Sequence, residues 1–309
     1  MIVMVVGFVI LFLMNLNFLL FMLFLLLMVA FLVLYERKLL GILQERKGPN
    51  VVGVFGVLQT VMDGIKLLCK GSYENYMSYY FLFLPVFGMT LSFCHWLVLP
   101  VPFEAMAGNF TVLVSFVLMG LLVYVVLGCG YVSGSAYGVI GSLRSVAQMI
   151  SYEVVFMFFI LGFLFFYGGY SWKLIFCYGM LEFSFLKGAF FVIWMVISSA
   201  ELNRTPFDLV EGESELVSGY NVEFSGYNFT LLFLSEYMNI WFMGVLFGVL
   251  FSSSLGGLLG FSLLFVSLNV LMRGLLPRYK FVDLINLMWK VFLPFVFLFL
   301  LFYLFLSCG

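Results

Sequence analysis

The sequence predicts an all-α integral membrane protein with about eight transmembrane helices and an amphipathic interfacial helix after the first span. Three observations predict it. Apolar residues make up 65% of the 309-residue chain and charged residues only 9%, against roughly 25% charged in globular domains. The apolar residues fall into segments close to the ~20 residues that cross a hydrocarbon core. Cations are also unevenly placed: twelve Lys and Arg lie at the odd-numbered connections between segments and two, Lys173 and Lys187, at the even-numbered ones. By the positive-inside rule this places the odd connections on the cytoplasm-like side and both termini on the other.

The first span, Met1 to Leu34, is long enough that a helix of about 52 Å must tilt or project from a ~30 Å core. A charged stretch, residues 35–78, follows it, and Gly48-Pro49-Asn50 marks a turn within it. From Gly56 the pattern is helical. Gln59, Asp63, Lys66 and Lys70 share one face, and Val57, Leu58, Val61, Ile65 and Leu68 fill the opposite arc. Such a helix lies in the membrane interface. A generic lipid anchor would account for its lysines, but not for Asp63 at the centre of the polar face.

The remaining spans read as Tyr79 to Leu99, Val112 to Cys129, Val146 to Tyr167, Phe185 to Ala200, Phe229 to Phe251, Leu255 to Met272 and Trp289 to Phe305. The fifth and seventh are short. The Gly- and Ser-containing stretch YVSGSAYGVIGS before the fourth reads as a loop, and His95, beside Trp96 at the end of the second, reads as an interfacial residue. Two spans carry an acid well inside, Glu153 in the fourth and Glu236 in the sixth. An acid at a helix centre costs ~2.5 to 3.5 kcal/mol on insertion scales, so it is protonated, paired or facing a wet cavity. Function is the default reading for both. The structural alternative is a protonated Glu bonded to a neighbouring helix.

The stretch from Ser198 to Phe224 sets six carboxylates, Glu201, Asp208, Glu211, Glu213, Glu215 and Glu223, against a single cation, Arg204. Placed between apolar spans, neighbouring carboxylates cannot all ionise at once. Thr205, Pro206 and Asp208 read as a helix start, with Thr as N-cap and Pro at the first helical position. Continued at ~100° per residue, that helix sets Asp208, Glu211 and Glu215 on one face. A solvated acidic loop is the alternative reading.

Some chemistry is not written in the chain. The five cysteines have no CxxC spacing and His95 is the sole histidine, so no protein-held iron-sulfur cluster, zinc site or bis-histidine haem is expected. No phosphate-binding glycine loop is present, so neither nucleotide nor flavin is expected on this chain. A cleavable presequence is not expected either, because the first charged residue is Glu36.

Several long, irregular blocks resemble a known family. They are ERKLLG and RKGPNVVG after the first span, GVLQTVMDGIKLLCKG, GSLRSVAQMISYEV, AELNRTPFDLVEGESELVSGYNVEF and PRYKFVDLINLMWKVFLP. Together they resemble the membrane subunit of respiratory complex I that adjoins the quinone site, the NADH-ubiquinone oxidoreductase chain 1 family. Val54 departs from the proline that many relatives carry there. The resemblance implies a buried proton path through Glu153, Glu201, Asp208, Glu211, Glu213 and Glu236. It also implies a quinone tunnel bordered by Glu36, Arg37, Arg46 and Asp63. Ubiquinone or a related quinone is then the substrate, and redox centres reside in other subunits.

The expectation that results is a non-redox subunit coupling quinone reduction to proton translocation. Its partners are the peripheral quinone-site subunits, the membrane-arm subunits and lipid, without nucleic acid. A free-standing ion transporter and the anchor of a related membrane-bound hydrogenase are the competing readings; no internal repeat favours the transporter. Extreme apolarity and 41 phenylalanines fit a product of a thymine-biased organelle genome. The expected location is the mitochondrial inner membrane with both termini on the intermembrane side, or alternatively a bacterial plasma membrane.

Overall fold

The structure, a computed structural model, describes residues 2–70, 79–100, 108–178, 187–208 and 223–308. Every regular element among them is helical. The chain divides into two compact units, Met1–Lys66 and Leu67–Gly309.

The first unit begins with α1, Ile2–Leu43, a helix of 42 residues. It ends because Glu45 takes a left-handed backbone, φ 55°. There the Arg46 N–H donates to Gly41 O at 2.8 Å and the Glu45 N–H to Ile42 O at 3.1 Å, the paired bonds of a Schellman termination. Glu36, Arg37 and Lys38 therefore sit on the last turns of α1, where the sequence reading placed the start of a loop. A short 3₁₀ turn, Val54–Gly56, precedes α2, Gln59–Cys69, whose last three residues fall in the second unit. Gly56 has φ +74°, and a side chain there would strike the Pro49 carbonyl. Only glycine closes this turn. Val61, Ile65 and Leu68 on the apolar arc of α2 are exposed, as expected of a helix whose apolar side faces lipid.

The second unit holds α3 (Tyr80–Val98), α4 (Thr111–Val132), α5 (Ala136–Tyr167), α6 (Trp172–Tyr178), α7 (Lys187–Glu201), α8 (Gly226–Phe251), α9 (Leu255–Leu275), α10 (Phe281–Leu287) and α11 (Leu293–Cys308). Among the described residues seven helices are long and apolar enough to cross a membrane, α10 and α11 counting as one. Helix α7 is shorter. It nonetheless runs the depth of the bundle, antiparallel to α5: Phe190 near its start packs on Phe163, and the Ala200 carbonyl near its end accepts from Gln148 Nε2 at 3.0 Å. With α7 the apolar helices among the described residues number eight, one for each apolar segment of the sequence.

Several boundaries differ from the sequence reading, three of them in the second half of the bundle or at its α4–α5 link. The link between α4 and α5 is only residues 133–135, because Ser135 caps α5 by accepting from the Gly138 N–H at 3.2 Å. Most of the stretch expected to be a loop is thus the first two turns of α5. Helix α9 runs to Leu275, three residues beyond the expected limit. The last span begins at Phe281 and passes through a π turn, Met288–Phe292, that includes Lys290.

Helix α8 is the core of the unit, with most of its side chains buried from Leu232 onward. It crosses α9 closely because Gly248 has no side chain: a Cβ there would lie 2.7 Å from Leu258 O. With Gly244 one turn earlier this forms the small-xxx-small spacing by which membrane helices approach. Cross-links between connections fix the up-and-down order. At one end the Val112 N–H donates to Tyr170 O at 3.1 Å and the Trp172 N–H to Thr111 Oγ1 at 3.0 Å. At the other end the Tyr279 N–H donates to Pro206 O at 3.0 Å. The second and fourth connections thus share one end, and the fifth and seventh share the other.

Candidate functional site

Helix α7 delivers Glu201 as its last residue and then turns sharply. Asn203 takes φ 49°, the Arg204 N–H donates to Ser199 O at 3.0 Å, and the Asn203 N–H to Ala200 O at 3.2 Å. This repeats the Schellman pattern that ends α1. The chain then makes a further turn, with the Phe207 N–H on Arg204 O at 2.8 Å. No helix starts at Pro206, and Thr205 Oγ1 has no hydrogen-bond partner among the described residues. The expected N-cap therefore fails, because this backbone is already committed to terminating α7. Gln148 of α5 holds the turn in place, its Nε2 donating to both Ala200 O and Phe207 O at 3.0 and 2.9 Å.

Above this turn lies a cavity of about 220 Å³ among α3, α4, α5, α8, α9 and the end of α7. Its walls are largely apolar, including Met119, Leu122, Val125 and Met243, and into them are set Glu201, Glu236, Arg204, Arg273, His95 and Asn239. Glu201 is 9% exposed, and its Oε2 has no hydrogen-bond partner among the described residues. Arg204 stacks its guanidinium 4.5 Å from the ring centre of Tyr237. Glu153 lies beside the cavity against Gly120, where a Cβ would come within 3.1 Å of its Oε1, and within electrostatic reach of Glu201. Asp208, 3% exposed, faces Arg278 at 3.5 Å.

The structure thus brings together Glu153, Glu201 and Glu236 and sets Asp208 seven residues beyond Glu201. Glu211 and Glu213, together with Glu215, lie outside the described residues, as does the one-face arrangement expected of the acids there. Sequence reasoning missed His95, Arg204 and Arg273 as cavity residues, Gly120 as the place where the Glu153 side chain fits, and Gln148 as the brace of the turn. His95 is 1% exposed and lines the cavity instead of sitting at the interface. A lone histidine inside an apolar helix was the available signal.

In the first unit, Arg37 Nη1 donates to Asp63 Oδ2 at 2.8 Å and Gln59 Nε2 to Asp63 Oδ1 at 3.0 Å. The Arg37 guanidinium holds the Asp63 carboxyl below the usual carboxylate range, aided by Gln59 and opposed by partial burial. Lys38 Nζ donates to the Phe55 carbonyl at 2.6 Å. Glu36 is buried on α1, and Arg46 is exposed just past it.

The fold and the cavity define a polytopic helical membrane protein that encloses ionisable groups within its bundle. Comparison with known sequences supplies the family. The sequence model of the NADH dehydrogenase family matches residues 16–304, and the chain belongs to that family. It is 40% identical to the NADH-ubiquinone oxidoreductase chain 1 of Patiria pectinifera over 93% of this chain and 92% of that one. To the same chain of Aedes aegypti it is 43% identical over 86% and 87%. To that of Lampetra fluviatilis it is 42% identical over 87% and 88%.

Proposed function

We propose that this chain is a non-redox membrane subunit of the proton-translocating NADH:ubiquinone reductase of the respiratory chain. It forms part of the path by which a quinone enters and couples quinone reduction to proton translocation through its buried carboxylates. The observation that carries this reading is the convergence of Glu201 and Glu236 on one largely apolar cavity within the bundle, with Glu153 adjoining it. Acids enclosed in apolar walls can be reached by protons only along a chain of groups that exchange them. Glu201 stands where that chain meets the acidic loop, and Asp208, Glu211 and Glu213 carry it onward. Glu36, Arg37, Arg46 and Asp63, on and after α1, border the quinone tunnel. The partners are the peripheral quinone-site subunits, the membrane-arm subunits and lipid. The location is the mitochondrial inner membrane, with both termini on the intermembrane side and the acidic loop on the matrix side.

The test substitutes Gln, which keeps the shape of Glu but cannot titrate. In assembled complex, Glu153→Gln and Glu236→Gln are expected to lower quinone-linked turnover and proton pumping together, while NADH oxidation by an artificial acceptor persists. Glu223→Gln, at an exposed position, serves as the control and is expected to match wild type. Wild-type pumping in both Glu153→Gln and Glu236→Gln would remove the relay.

A further inference from the structure

His95 projects from α3 into the same cavity and is 1% exposed. Its ring stacks on Phe242 of α8, centroids 4.8 Å apart and planes 18° from parallel. Its Nδ1 lies 3.4 Å from Asn239 Oδ1. Since an amide oxygen only accepts, Nδ1 carries the proton in this pair, and Nε2 is left as a bare acceptor. Nε2 is buried and has no hydrogen-bond partner among the described residues. A buried polar atom without a partner costs ~1 to 3 kcal/mol. Phenylalanine or leucine would fill this place without that cost.

The groups around the ring explain what could complete it. From α8 the cavity receives Glu236, Tyr237, Asn239 and Ser235; from the end of α7, Glu201 and Arg204; from α9, Arg273. The wall from α4, Met119, Leu122, Val125 and Val126, is apolar. A space of this size with several donors and acceptors meets the conditions for ordered water. His95 is thus a neutral acceptor in a cavity also lined by donors and acids, with no carboxylate hydrogen-bonded to it among the described residues. A charge on so buried a ring would be costly to hold.

We propose that His95 is a positioning residue of the acid cavity: anchored by Asn239 through Nδ1–H, it accepts a hydrogen bond at Nε2 from a water that links it to the cavity's acids. This rests on the relay reading above and adds to it a fixed hydrogen-bond site on α3, so that protons cross the cavity along an ordered water. The imidazole stays neutral throughout and holds the water's orientation.

The experiment compares His95→Leu, which fills the volume but removes the acceptor, with His95→Gln, which keeps an acceptor, and with Glu236→Gln, all in assembled complex. Quinone-linked turnover is measured in light and heavy water, with NADH oxidation by an artificial acceptor as the assembly control. His95→Leu is expected to lower quinone-linked turnover several-fold and to raise its solvent isotope effect, while His95→Gln stays within about twofold of wild type and the artificial-acceptor rate is unchanged in both. Wild-type turnover and isotope effect in His95→Leu, beside an impaired Glu236→Gln, would overturn this proposal and leave the relay standing. Equal losses in His95→Leu and His95→Gln would also overturn it, since packing alone would then account for the residue. Wild-type behaviour in Glu236→Gln, together with that in Glu153→Gln, would instead overturn the relay itself and this proposal with it.

Discussion

Asp208 Oδ2 lies 3.5 Å from Arg278 Nη2, and while the aspartate side chain is 4% exposed the arginine is 43% exposed. The pair joins the root of the acidic loop to the connection between α9 and α10. Two further contacts run parallel to it, the Tyr279 N–H on Pro206 O and the stacking of Phe207 on Tyr279 with centroids 5.6 Å apart. Two connections distant in sequence are thereby held as one surface at one end of the bundle.

The first prediction follows from the unequal burial of that pair. Arg278→Met removes a cation from a carboxylate that water scarcely reaches, which is expected to cost about 1 to 3 kcal/mol of local stability. Asp208→Asn leaves an exposed arginine and is expected to cost less. Because the two residues share one interaction, the double variant should cost less than the sum of the singles. Thermal inactivation of quinone reductase activity in the three assembled variants checks this, and strict additivity would deny the coupling.

The second concerns Arg37 and Asp63. The folded-state pKa of Asp63 is depressed, chiefly by the hydrogen bond from Arg37. The pair's contribution is therefore complete above the ordinary aspartate value of 3.8 and is lost as pH falls through the lower, folded-state value. Its size is small, since both side chains are a third to a half exposed and such pairs contribute ~0.2 to 1 kcal/mol. Arg37→Met is expected to lower the inactivation temperature slightly and by a constant amount from pH 8 to about pH 5, and raised salt should shrink the difference. A gap that widens on acidification would contradict the sign.

Parts of this architecture are legible in the sequence because the solvent imposes them. A hydrocarbon core demands apolar helices of fixed length, so seven spans and the short α7 appear as segments, and an acid that survives there, Glu153 or Glu236, stands out. What the sequence leaves hidden depends on partners far along the chain. Nothing local tells that Gln148 braces Ala200 and Phe207, and the lone histidine at 95 signals a special place without telling which helices it faces. Thr205-Pro206 carries a sound helix-start signal, yet Asn203, one of the few residue types at ease with a left-handed backbone, ends α7 just before it and the turn prevails. The same competition explains α5, where a stretch rich in Gly and Ser is helical because Ser135 caps it and α4 packs against it. Gly130 of α4 leaves room for Ser142 at that crossing.

The third prediction tests the seat of Glu153. Gly120 on α4 leaves room for its carboxylate, and a Cβ would stand 3.1 Å from Oε1. A carboxylate at the end of a flexible side chain can retreat by a few tenths of an ångström, so Gly120→Ala is expected to lower quinone-linked turnover no more than about twofold. Gly120→Leu cannot be accommodated that way and must push the carboxylate from its place beside Glu201; about a tenfold loss, comparable to that of Glu153→Gln, is expected. The rate with an artificial acceptor, measured on the same membranes, separates this from failed assembly. Full quinone-linked activity in Gly120→Leu would mean that the position of Glu153 is not critical.

The last prediction concerns Arg204, whose guanidinium lies over Tyr237 in the wall of the cavity that Glu201 and Glu236 also line. A cation over an aromatic face gains ~0.5 to 1 kcal/mol when exposed and about 2 when desolvated, and this one is partly enclosed. Arginine also stacks as a plane, which lysine cannot do. If the ring face holds Arg204 in the cavity wall, Tyr237→Phe should keep most of the activity, because it retains the face and loses only the hydroxyl. Tyr237→Leu and Arg204→Lys should each lower quinone-linked turnover, by roughly three- to tenfold, the range that ~0.7 to 1.4 kcal/mol provides. If instead the hydroxyl of Tyr237 is the working group, Tyr237→Phe and Tyr237→Leu will be equally impaired. Turnover with quinone in the three variants decides between a ring that positions a charge and a hydroxyl that takes part in the hydrogen-bond chain.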